Sequence, residues 1–127
     1  MAILLGRLLV VVMTLWAVVP SHAGSADVLE VRVAQVGPGL YRFDVTVRHP
    51  DTGWDHYADK WEVVALDGRV LATRTLLHPH VDEQPFTRSL GGVRLPDTVG
   101  RVTIRAHDNV DGFGRVAQTV EIPPRGE

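Results

Sequence analysis

The chain has 127 residues, no cysteine, and 13 basic against 15 acidic side chains, a formal net charge of −2. That acidic balance argues against nucleic acid, which needs a basic surface to release counterions, and against electrostatic docking on an anionic membrane. Without cysteine, disulfides, thiolate nucleophiles, iron–sulfur clusters, blue-copper centres and a lipidated cysteine are all excluded for this sequence.

The first segment differs from the rest. Met1 to Val19 is almost continuously apolar, with Arg7 as its one charge. The run Leu8–Val19 closes at Pro20, and Ser21-His22-Ala23 puts small residues at both recognition positions of a secretory signal. Cleavage is expected after Ala23, with Ala26 as the alternative; left uncut, the segment approaches the length of a membrane anchor. Cleavage would leave no stable anchor and one small domain from Gly24 to Glu127 with room for a single core. That domain would carry 12 basic and 15 acidic side chains, and no sulfur, since Met1 and Met13 both lie in the leader. A thioether site for Cu(I) is then excluded as well, and the expected location is the periplasm or the medium.

From Asp27 onward the apolar residues recur with period two, and glycine or proline interrupts the chain every 8 to 12 residues. Val28–Val36 alternates and stops at Gly37-Pro38-Gly39. Leu40–Arg48 is the clearest strand, with Tyr41, Phe43, Val45 and Val47 on one face and Arg42, Asp44, Thr46 and Arg48 on the other. A polar loop, His49–Asp59, follows. Lys60–Leu66 and Arg69–Leu77 flank Asp67-Gly68, a strong hairpin signal. The segment "TLLHPHVDEQPFTRSL" (Thr75–Leu90) ends in a fifth strand, Arg101–Asp108 alternates again, "NVDGFG" forms a loop, and Arg115–Ile122 is the last strand before Pro123-Pro124 and a polar tail.

Seven strands in about 100 residues without a helix resemble an immunoglobulin-like or fibronectin-III-like β-sandwich. Trp61 in the third strand sits where an immunoglobulin domain keeps its core tryptophan; the inter-sheet disulfide and the tyrosine corner of that family are missing. His56–Leu90 also resembles a pattern from small exported bacterial proteins of unassigned activity. That similarity implies export and a compact β fold, and no particular chemistry.

Five histidines lie beyond the leader: His49, His56, His78, His80 and His107. If the strands alternate in direction, all five fall in or beside the connections after the second, fourth and sixth strands, which share one end of the sandwich. Imidazoles there suit Cu²⁺ or Zn²⁺, with carboxylates from Asp51, Asp55, Asp59, Asp82, Glu83, Asp108 or Asp111 completing a site. In His78-Pro79-His80 the proline favours an extended backbone that turns both rings to one side. The expected ligands are His56, His78 and His80, with His107 fourth. His49, before Pro50, is expected to be an ordinary solvated loop residue. Metal sequestration, delivery or sensing would follow.

A metal-free alternative uses the same loops. Trp54, Tyr57, Phe86, Arg88 and Phe113 could form an aromatic and cationic surface for a protein partner in an envelope assembly. An enzyme is not expected, because no nucleophile elbow, paired-histidine helix motif or phosphate loop is present, although a hydrolytic metal site would leave no other mark in a sequence. No organic cofactor is expected.

Overall fold

The alternation of Leu40–Arg48 becomes the centre of one sheet. In the computed structural model, which describes residues 24–124, the elements are β1 (Asp27–Gly37), β2 (Leu40–Arg48), β3 (Ala58–Ala65), β4 (Val70–Thr75), β5 (Phe86–Arg94), β6 (Arg101–Asp108), β7 (Gly112–Phe113) and β8 (Gln118–Glu121). The expected leader and the tail beyond Pro124 lie outside the described residues, and among those described there is no helix.

Two antiparallel sheets result. One has the order β1-β2-β5; the other has β4-β3-β6-β7, with β8 also pairing β6. Their apolar faces share one core, so the arrangement is β-sandwich-like. The addition to the expected seven is β7, two residues inside the "NVDGFG" loop, where Phe113 pairs with His107 and Gly112 with Asp108. Seven longer strands therefore follow the expected pattern, with ends shifted by a few residues.

Tyr41, Phe43, Val45 and Val47 are all fully buried, as their shared parity requires, and they meet Trp61, Val63, Val102, Ile104 and Ala106 from the second sheet. Each fully buried large apolar side chain contributes about 1.5–3 kcal/mol. In a domain without disulfides, that packing carries the fold. Gly68 closes the β3–β4 hairpin at φ 93°, donating to the Ala65 carbonyl at 2.9 Å while the Ala65 N–H reaches Arg69 O at 2.8 Å. Only glycine holds that φ without strain.

The segment before β1 belongs to the fold. Ala26 is buried in the core. The Arg115 N–H donates to Ser25 Oγ at 2.9 Å, and the Val28 N–H donates to Val116 O at 2.9 Å. At Gly114 the approach is so close that an added Cβ would lie 1.8 Å from the Ala26 carbonyl oxygen. Residues 24–26 are thereby clamped beside the β6–β8 connection, at the end where β2 and β6 terminate.

Candidate metal centre

β2 ends at Arg48, and the next side chain turns inward. His49 is 0% exposed, which corrects the expectation of a solvated loop residue. Burial is possible because the backbone N–H and ring Nδ1 find hydrogen-bond partners. The His49 N–H donates to Gln84 Oε1 at 3.0 Å, ring Nδ1 lies 2.5 Å from Asp51 Oδ1, and Nε2 lies 3.1 Å from the Gly24 carbonyl oxygen. The clue in the sequence was His49-Pro50-Asp51, which places a carboxylate two residues from the imidazole it orients.

Asp51 ties three loops together. Its Oδ1 also accepts the Ala58 N–H at 3.0 Å, and its Oδ2 accepts the His80 N–H at 2.7 Å. The Gln84 amide adds a bond to the His80 carbonyl at 2.9 Å. On the other side, the Tyr57 N–H donates to Asn109 Oδ1 at 2.9 Å, and Asn109 Nδ2 donates to Trp54 O at 3.0 Å. The connections after β2, β4 and β6 are thus held together at one end of the sandwich.

His56 enters from the β2–β3 loop, placed by a small turn in which its N–H donates to Gly53 O at 3.2 Å and its carbonyl accepts the Thr52 N–H at 3.0 Å. Asp108, the last residue of β6, is fully buried. Among the described residues, His49, His56 and Asp108 form one group whose ligating atoms all lie within 4.8 Å of one another. His49 Nε2 is 3.3 Å from Asp108 Oδ2, and His56 Nε2 is 3.4 Å from Asp108 Oδ1 and 3.1 Å from Asp111 Oδ2.

Asp51 Oδ1 already accepts a backbone N–H, so the hydrogen on His49 Nδ1 points to it, and Nε2 of the neutral ring presents a lone pair. That lone pair faces two further acceptors, Gly24 O and Asp108 Oδ2. Asp108 Oδ1 accepts the Val110 and Asp111 N–H groups at 2.8 and 2.6 Å; Oδ2 is buried without a hydrogen-bond donor. Acceptors converging on a buried carboxylate favour a cation between them, a proton or a metal ion. Ligand bonds of about 2.0–2.2 Å at tetrahedral or square angles set neighbouring donors about 2.8–3.6 Å apart. The 3.1, 3.3 and 3.4 Å separations here are edges of that size; the full 4.8 Å span of the group is wider and has to shorten around a single ion. The Asp51–His49 pair is also the arrangement in which a carboxylate fixes the tautomer and ring orientation of a ligating imidazole.

Of the expected ligands, only His56 belongs to this group. His78 and His80 do lie together, with ring centroids 4.6 Å apart. His78 is exposed and its Nδ1 is 3.0 Å from the Pro79 carbonyl. His80 is buried and stacks on Phe86 at 4.0 Å and 10°, with neither ring nitrogen hydrogen-bonded. Burial, with smaller contributions from the Arg88 guanidinium and His78, holds the His80 imidazole below the ordinary histidine pKa. His107 points along the outer face of β6, where Nδ1 is 2.6 Å from Asp59 Oδ1 and the ring meets Phe113 edge-on.

The aromatic set separates as well. Trp54 is 65% exposed and packs edge-on against Tyr57 at 5.5 Å. Phe113, 41% exposed, carries the Arg105 guanidinium 3.9 Å from its ring centre. Phe86 is 1% exposed and lines the core, because its position in β5 shares the inward parity. Arg88, also on β5, pairs with Glu83 at 2.9 Å. A surface cleft lined by Gln35, Pro38, Arg94 and Asp97 lies at the other end and holds none of these groups.

No helix among the described residues is long and apolar enough to cross a membrane. No protein-family model matches the chain, and no solved structure matches it. A protein of Halomicrobium mukohataei named "Putative lipoprotein" is 40% identical over 96 residues, which cover 76% of this chain and 47% of that protein. The chain therefore spans about half the length of the relative it matches.

Proposed function

We propose that this is an exported envelope protein whose β-sandwich binds one divalent transition metal ion, Zn²⁺ or Cu²⁺, through His49, His56 and Asp108, with Asp111 within reach as a further ligand. The observation that carries the reading is the buried convergence of His49 Nε2 and the donor-free Asp108 Oδ2, 3.3 Å apart, with His49 Nδ1 anchored on Asp51. The nitrogen–oxygen donor set suits borderline divalent ions. Export is supported by the secretory-type leader and by the name of the Halomicrobium relative. The strand order, β1-β2-β5 facing β4-β3-β6-β8, supports a fibronectin-III-like reading of the fold. The role would be sequestration, delivery or sensing of the ion in the periplasm or outside the cell.

The test is calorimetric titration of metal-stripped protein with Zn²⁺ and Cu²⁺. One ion per chain is expected, with binding abolished in His49→Ala and weakened at least about tenfold, or about 1.4 kcal/mol, in His56→Ala. The second variant matters because His56 is peripheral enough for its loss to leave the fold intact. His78→Ala should bind as the parent does. Absence of stoichiometric uptake would overturn the metal reading, and uptake unchanged by His56→Ala would overturn this ligand set.

The exposed Trp54–Tyr57 pair favours a second reading, a metal-free docking surface for an envelope protein partner. The two readings separate in the same titration, since a metal-free docking module takes up no stoichiometric ion.

A further inference from the structure

Gly24 contributes to this site in a way that its sequence position makes consequential. Its carbonyl oxygen is 3.1 Å from His49 Nε2. A Cβ added to it would lie 2.5 Å from Asp111 Oδ2 and 3.5 Å from His56 Cε1. Its Cα is therefore no more than about 4 Å from the Asp111 carboxylate, and its nitrogen is one bond of about 1.46 Å further on. Gly24 thus faces His49, His56 and Asp111 together, and it is the residue that follows the leader's first expected cleavage point.

We propose that removal of the leader after Ala23 completes the metal centre by freeing the Gly24 α-amino group, which joins the Gly24 carbonyl oxygen in chelating the ion held by His49, His56 and Asp108. The inference rests on the metal reading above. Hydrolysis breaks the Ala23–Gly24 C–N bond; water supplies the oxygen of the new Ala23 carboxylate, and the Gly24 nitrogen gains hydrogen and becomes an amine. Before cleavage that nitrogen is a peptide N–H whose lone pair is delocalised into the carbonyl, so it is no ligand. Afterwards it has a free lone pair, and amine nitrogen, Cα, carbonyl carbon and oxygen close a five-membered ring on one ion. Glycine suits the position twice over: it has no side chain to press on Asp111, and its backbone turns freely to bring both atoms onto the metal.

The structure also favours the first cut over the alternative. Cleavage after Ala26 would discard the Gly24 carbonyl, the Ser25 hydroxyl that accepts the Arg115 N–H, and the fully buried Ala26 side chain. It would remove a wall of the site and part of the core together.

The experiment begins with protein exported from the full chain in a secreting host, its amino terminus read by intact mass and sequencing. Gly24 is expected first; a start at Asp27 or a retained leader overturns the proposal. Metal-stripped exported protein is then titrated with Cu²⁺ before and after α-amino acetylation. This is done in a Lys60→Arg background, because Lys60 is the chain's one lysine and the α-amine is then its one amine. Acetylation should weaken Cu²⁺ binding at least about tenfold while circular dichroism and urea stability stay unchanged. Equal one-to-one binding by both forms overturns the amine's role and leaves the metal reading standing. Failure of both forms to bind overturns the metal reading itself.

Discussion

Replacing Asp51 by Asn keeps shape and volume and changes only which hydrogen bonds the side chain can make. All three partners of the carboxylate donate: Ala58 N–H and His49 Nδ1–H to Oδ1, and His80 N–H to Oδ2. An amide has one acceptor oxygen and one donor nitrogen. With its oxygen toward Ala58 and His49, the amide NH₂ confronts the His80 N–H; flipped, it confronts two donors. In the better orientation one charge-assisted bond is lost, at about 1.5–3 kcal/mol, and two others weaken from charged to neutral acceptors, at about 0.5–1 kcal/mol each. The sum is about 2.5–5 kcal/mol, a large part of the roughly 5–15 kcal/mol that holds a small domain together. For a domain of this size, it lowers Tm on the order of 10–40 °C. Urea denaturation followed by fluorescence, with the buried Trp61 as reporter, should show a lower midpoint at unchanged slope. Asp55→Asn, exposed in the same loop, should stay within about 0.5 kcal/mol of the parent. Metal affinity should fall with Asp51→Asn by about 10–100-fold, since His49 loses the group that orients it. A stability change below about 1 kcal/mol would refute the role of Asp51 as the tie between the loops.

Two further outcomes follow from neighbouring features. His80, held below the ordinary histidine pKa by burial first, takes up a proton less readily when folded than when unfolded. Its contribution to stability is therefore complete above the unfolded value of about 6.5 and is lost as pH falls from there through the folded value. His80→Phe, which keeps the stack on Phe86, should make the fall in urea midpoint across that window shallower; an unchanged slope would count against it. Gly114→Ala should cost about 1–3 kcal/mol or more, because the new methyl meets backbone atoms of Ala26 at 1.8 and 2.6 Å, and by displacing residues 24–26 it should weaken metal uptake. Gly91→Ala, with open space around it, should do neither in the same melting and titration series.

The strands and their inward faces were legible because a half-buried strand imposes a period of two on its own residues. Tyr41, Phe43, Val45 and Val47 announce a core face, and Asp67-Gly68 announces a hairpin, with no reference to the rest of the chain. Alternating strand direction was enough to gather the histidine-bearing connections at one end. Which histidines meet was not legible. His49 looked like a solvated residue because a loop histidine at a strand end usually is one, and Asp51 two residues on marks it as buried only once the fold turns both side chains inward. Its burial comes from Gln84, Asp51 and Gly24, lying 35, 2 and 25 residues away.

His78-Pro79-His80 drew attention through local spacing. The fold instead spends the His80 ring on a stack with Phe86 and its N–H on Asp51, leaving His78 in solvent. Local rules settle what a segment becomes, since period, turn chemistry and side-chain volume act over a few residues. A ligand set depends on donor atoms meeting within a few ångströms, and that was decided where the ends of β2 and β6, the His56 loop and the Gly24 strand lead come together.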